Sequence, residues 1–167
     1  MIRTLVRRSS VRRRALAAGA ALMAVMVLTA TAEGAARSES DLEVVRIDPD
    51  AVEPGGLTTV HAFIGNAGPE KTASVFTVEI TLPEGVTAEG PFFPENCSDE
   101  IQDGEGVSCT FPAGLPESGS ATALIPLRIG ADVPLGDLTG GCITVRGDDD
   151  QNTANNRQPF VIHVVEN

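Results

Sequence analysis

The chain has no tryptophan and no tyrosine; its only aromatic rings besides two histidines are six phenylalanines, Phe63, Phe76, Phe92, Phe93, Phe111 and Phe160. Recognition hot spots draw heavily on Trp, Tyr and Arg, and sugar-binding faces commonly use stacked rings, so this composition argues against a dedicated carbohydrate reader. Basic residues are also scarce past the amino terminus. From Glu33 onward there are 6 basic and 23 acidic residues, a balance of 6 − 23 = −17 against −11 for the whole chain. Such a surface repels phosphate backbones and anionic head groups, which excludes nucleic acid as a partner.

Catalytic signatures are missing as well. The two histidines, His61 and His163, and the three cysteines are scattered, without zinc-ligand spacing or a Cys–His arrangement. No G-x-S-x-G elbow surrounds any serine. Past residue 41 no stretch carries helical apolar spacing, so no glycine loop opens a helix to cradle phosphate. The expectation is a protein that is not an enzyme and has no catalytic residues.

What is present begins with an export signal. Six arginines between Arg3 and Arg14 form a basic region without acids, and the 14-residue apolar stretch Ala15 to Leu28 follows. That stretch is short for a helix crossing a hydrocarbon core of about 30 Å. Ala30-Thr31-Ala32 supplies the small-residue cleavage pattern, with a second site ending at Ala36. Residues 1–32 are read as a helical signal peptide, 33–40 as a flexible leader and 41–167 as the mature domain. With no cysteine near the cleavage site and no apolar tail, the mature protein is expected to be secreted, free of the membrane or loosely held at the cell wall.

The domain alternates short apolar runs with Gly, Pro, Asn and Asp turns, the pattern of strands. Strands are predicted at Leu42–Ile47, Thr58–Ile64, Ser74–Leu82, Val86–Ala88, Val107–Phe111, Ala121–Ile129, Cys142–Arg146 and Phe160–Val165. Val60, Ala62 and Ile64 should face the core, with Thr59, His61 and Phe63 outward; Phe76, Val78, Ile80 and Leu82 should also face inward. Seven to eight such strands predict an all-β immunoglobulin-like sandwich.

Three groups of residues are candidates for chemistry or contact. Cys97 and Cys109 flank the turn-rich loop Ser98 to Gly106 and can staple its ends, worth on the order of 3 kcal/mol in the chain-entropy view. Cys142 then remains, either a buried small apolar residue or a free thiol able to bridge two molecules. In Asp148-Asp149-Asp150-Gln151-Asn152, the side chains of Asp148, Asp150 and Asn152 alternate like the first ligands of a calcium loop. Thr153 and Pro159 stand where the glycine and the bidentate acid of such a loop belong, so the competing reading is a solvated turn with no cofactor. Phe92 and Phe93, between Pro91 and Pro94, either plug the end of the sandwich or, with Phe63, form an apolar contact patch.

The ordered motifs Asp41-Leu42-Glu43-Val44, Val52-Glu53-Pro54-Gly55-Gly56, Asn66-Ala67-Gly68-Pro69, Thr81-Leu82-Pro83-Glu84-Gly85-Val86, Cys97…Cys109, Leu115-Pro116-Glu117-Ser118-Gly119-Ser120-Ala121 and Asn152 to Asn156 run through the mature chain. Taken together they resemble the bacterial conserved-repeat domain known as domain of unknown function eleven, and its relative, the cell-adhesion-related domain found in bacteria. The resemblance implies an Ig-like sandwich of surface and secreted proteins, used as a spacer or stalk, with no catalytic residues to carry over. Ala62, small for its core position, and the additional thiol of Cys142 depart from that pattern. The functional expectation is a non-enzymatic envelope module that binds another cell-envelope or secreted protein through sandwich surfaces or edge strands.

Overall fold

The computed structural model describes residues 38–99, 101 and 105–166. The expected signal peptide, both cleavage sites and residues 33–37 of the leader lie outside the described residues. Nine strands follow in order: β1 (Leu42–Val45), β2 (Leu57–Asn66), β3 (Phe76–Thr81), β4 (Val86–Ala88), β5 (Cys97–Ser98), β6 (Gly106–Phe111), β7 (Ser120–Ile129), β8 (Gly136–Gly147) and β9 (Arg157–Val164). They form two antiparallel sheets, β1-β2-β7-β4 and β5-β6-β3-β8-β9. This is the immunoglobulin-like sandwich expected from the alternation. β1, β2, β7 and β4 occupy the positions of strands A, B, E and D, and β3, β8 and β9 those of C, F and G. In chain order β4 comes before β5 and β6, so the chain reaches the far edge of the first sheet before returning to the second.

Period-two patterning creates the layers. Val60, Ala62 and Ile64 of β2 and Ala123, Ile125, Leu127 and Ile129 of β7 are fully buried, as are Val78 and Ile80 of β3 and Val145 of β8. Each large aliphatic side chain removed from water in this way contributes roughly 1.5–3 kcal/mol. Phe76 and Phe111 stack with ring centroids 5.1 Å apart. The small Ala62 lies directly across from Ala123, so two alanines share one site in the middle of the sheet.

Three boundaries differ from the sequence reading. The expected strand at Cys142–Arg146 is the second half of β8, which starts at Gly136. Glycine and aspartate dominate its first half, so side-chain propensity there resembles a turn; pairing with β9 makes the strand. Register shifts between Leu138 and Gly141, where Gly140 has φ +106°. The ninth strand, β5, is a two-residue piece with no run of its own to reveal it. Finally, the last residues assigned to the leader belong to the fold: Ser38 and Ser40 are buried, and Ser38 Oγ donates to the Lys71 carbonyl at 2.6 Å.

Gly141 lies directly beside Phe160 in the β8–β9 pairing. A Cβ there would lie 2.4 Å from the ring of Phe160. Gly141→Ala is therefore expected to displace Phe160 and cost about 1–3 kcal/mol, read as a lower urea midpoint; an unchanged midpoint would show that the ring moves freely.

Candidate interaction surface

The outward faces of the two sheets differ in kind. On β5-β6-β3-β8-β9 the outward residues of the central strands are mostly polar, Thr77, Glu79 and Thr81 on β3, Ser108 and Thr110 on β6, Thr144 and Arg146 on β8, with Cys142 on β8 and Pro159 and Val161 on β9 as the exceptions. Arg146 pairs with Glu79 at 3.2 Å. On β1-β2-β7-β4 the register sets Val45 beside Phe63 and Phe63 beside Thr122. The next rows place His61 beside Leu124 and Thr59 beside Pro126. The rings of His61 and Phe63 meet edge-on at 6.4 Å.

Phe93 extends this face. Its N–H donates to the Leu124 carbonyl at 3.1 Å and its carbonyl accepts from the Leu124 N–H at 2.8 Å. The side chain is 55% exposed, whereas neighbouring Phe92 is half-buried against the core. Phe92 thus turns inward and Phe93 outward. Leu124 lies between Phe93 and His61 in the register, Phe63 stands one outward position further along β2, and Val45, 38% exposed, lies beside Phe63. Charge is confined to the corners: the Glu43 side chain lies over Gly65 at one, and Arg128 pairs with Glu89 at 2.9 Å at the other.

Strand edges, the other expected means of contact, are largely occupied. Along β1, Leu42 N–H donates to Asp150 Oδ1 at 3.2 Å and Val44 N–H to the Asn155 carbonyl at 3.1 Å. Along β9, Pro159 has no N–H, Val161 N–H donates to Asp48 Oδ1 at 2.9 Å, and Val52 exchanges two backbone bonds with His163 and Val165, both 2.9 Å. The remaining edge strands, β4 and β5, are three and two residues long.

The acidic loop knots the fold. Asp149 is buried and accepts from Ala73 N–H at 2.6 Å, from the Ser74 hydroxyl, and from Ser40 Oγ at 3.1 Å. Burial alone would raise its pKa; the hydrogen bonds from Ser74, Ala73 and Ser40 outweigh that and hold the carboxyl below its ordinary value. Asp150 accepts from Leu42 N–H and Asn152 N–H through Oδ1, and from Asn156 Nδ2 through Oδ2. Asn152 Oδ1 takes the Ala154 N–H at 3.4 Å, an Asx turn, and Asp148 is exposed. Asn155 and Asn156 turn their NH2 groups toward Asp41 and Asp150, leaving both Oδ1 atoms buried without a partner. Among the described residues no group of three or more His, Cys, Asp or Glu side chains is placed to hold a metal ion.

A second knot sits at Asn66, 1% exposed. Its Oδ1 accepts from Asp41 and Gly68 N–H, and its Nδ2 donates to the carbonyls of Glu70, Leu115 and Pro116. Cys97 and Cys109 face each other directly across β5 and β6 and are bonded. Cys142 is free and buried, on the outer side of β8 beneath Arg157, whose Nε lies 3.0 Å from its sulfur.

No family model matches the chain, and no curated protein matches it in sequence. Solved structures do share its outline. One is a variant of BcpA, the major pilin subunit of Bacillus cereus: 11% identity, TM-score 0.48, with 75% of this chain covered. This chain spans 39% of that pilin subunit. Another is the third cohesin of ScaC, in complex with the ScaB dockerin from Acetivibrio cellulolyticus: 15% identity, TM-score 0.45, covering 75% of this chain and 99% of that one. A chain of the CaDoc0917–CaCohA2 complex gives 16% identity and TM-score 0.44, over 74% and 99% of the two chains.

Three expectations follow. A depressed carboxyl pKa contributes stability that is complete above the unfolded value, about 3.9 for Asp, and is lost as pH falls through the folded value. Urea midpoints should therefore decline below about pH 4, and Asp149→Asn should lower the neutral-pH midpoint while flattening that acid limb. Replacing Cys97 and Cys109 together by alanine should cost about 3 kcal/mol. In the unreduced wild type, iodoacetamide should modify one thiol, Cys142, and only in denaturant; labelling in the folded state would contradict its burial.

Proposed function

We propose that the mature chain is a secreted, non-enzymatic interaction module of the bacterial cell envelope that engages another protein through the outer face of the β1-β2-β7-β4 sheet. One observation carries this reading. In a strongly acidic domain, the outer face of this sheet gathers the exposed Val45 and Phe93 with the half-buried Phe63, Leu124 and Pro126, while the outer positions of β3 and β6 are polar. Contiguous apolar surface rimmed by polar residues characterises interaction sites. The occupied edges of β1 and β9 favour face contact over strand addition.

Export is supported by the amino-terminal sequence pattern, and the bonded Cys97–Cys109 pair suits an oxidising compartment. Among the described residues no helix is long and apolar enough to cross a membrane. An assignment to the conserved-repeat domain family belongs to this proposal and rests on the ordered turn motifs.

A photo-crosslinking residue in place of Thr59, exposed on the open face, tests the reading in the native host. Irradiation of the secreted and cell-wall fractions should give one discrete adduct, lost when Phe63→Ser is added. The same residue in place of Thr110, on the polar outer face, should give none. Equal labelling from both positions, or no adduct from Thr59, would count against a dedicated face.

A further inference from the structure

We infer that the partner of this face is a protein surface with an apolar centre and a basic margin. The inference rests on the interaction-module reading and adds the chemistry of the occupant. Its centre is Phe63, Leu124 and Phe93, with Val45 and His61 beside them. Phe93 is a prepared anchor: two backbone bonds to Leu124 fix its main chain while the ring projects into solvent. An aromatic side chain held this way loses little freedom on docking. Its contact should therefore dominate the affinity.

Charge identifies what surrounds that apolar centre on the partner. Interface cores are depleted in charge, and their rims are polar. This face follows that pattern, with Glu43 at one corner, the Arg128–Glu89 pair at the other and no carboxylate among the residues of its centre. From Glu33 onward the chain carries 23 acidic against 6 basic residues. Among the described residues, Arg46, Arg128 and Arg146 are each within ion-pair distance of a carboxylate, which leaves the uncompensated field negative. A second copy would bring two strongly acidic domains together, within the screening length of about 8 Å at physiological salt. A partner margin of Lys and Arg turns the same field into attraction. A phosphate-bearing surface has the wrong sign.

Two helical peptides serve as probes: one with a leucine stripe flanked by lysines, and its counterpart with glutamates in place of the lysines. Each is titrated calorimetrically into the mature protein, with backbone amide NMR locating the contact. The lysine peptide should bind at least about tenfold more tightly, a difference of roughly 1.4 kcal/mol, weaken with salt, and shift the amides of Phe63, Phe93 and Leu124. Phe93→Ser and, separately, Leu124→Thr should each weaken it about tenfold or more, with unchanged melting. Thr110→Ala on the opposite face should leave binding as in wild type. Equal binding of both peptides at the face would overturn the basic margin and leave the interaction reading intact. Shifts confined to the acidic loops, indifferent to Phe93→Ser, or no binding of the lysine peptide, would overturn the proposal. Sedimentation showing a wild-type dimer that Phe93→Ser dissociates would assign the face to a second copy and overturn it also.

Discussion

A strand in a two-layer sandwich buries one face against the other sheet and leaves the second to its surroundings. Every other feature of this molecule answers to that division. The inward positions of β2, β3 and β7 form a continuous apolar layer, with the Ala62–Ala123 pair as its smallest site. The outward positions are free of that requirement, so their composition carries information about use. On β3 and β6 of the second sheet they are threonine, serine and the Glu79 that pairs with Arg146. On the first they include Phe63, Leu124 and Pro126, with Phe93 added from a neighbouring segment.

What the sequence disclosed followed its range. Alternation within one strand is local, and it placed Phe63 outward and Phe76, Val78 and Ile80 inward as the structure has them. The direction of Phe93 depends on a bridge to Leu124, thirty-one positions along the chain, and a local pattern cannot encode such a partner. The same applies to the first half of β8, where Gly136, Gly140 and Gly141 read as a turn until β9 lies alongside. Ser38 and Ser40 looked like mobile leader because small polar residues acquire structure only through what they bond.

The candidate ligands show a related limit. Asp148, Asp150 and Asn152 have the spacing of a cation loop, yet spacing cannot tell which carboxylates turn inward. In the fold the middle residue, Asp149, is the buried one, joining the chain entry at Ser40, the segment after β2 at Ala73 and Ser74, and the β8–β9 loop. Asn66 ties the same entry at Asp41 and the same segment after β2 to Leu115 and Pro116. Both residues sit in stretches whose sequence reads only as punctuation, and both organise one end of the sandwich.

The dressing of β9 has a consequence for crowded conditions. Open rows of peptide groups let sheets from separate molecules zip together into indefinite fibrils. Here a proline, an aspartate from a distant turn and a short parallel bridge from Val52 occupy that row, while loop residues occupy the row along β1. The molecule can therefore expose a greasy sheet face at high local concentration without offering the ladder along which ordered aggregates would grow.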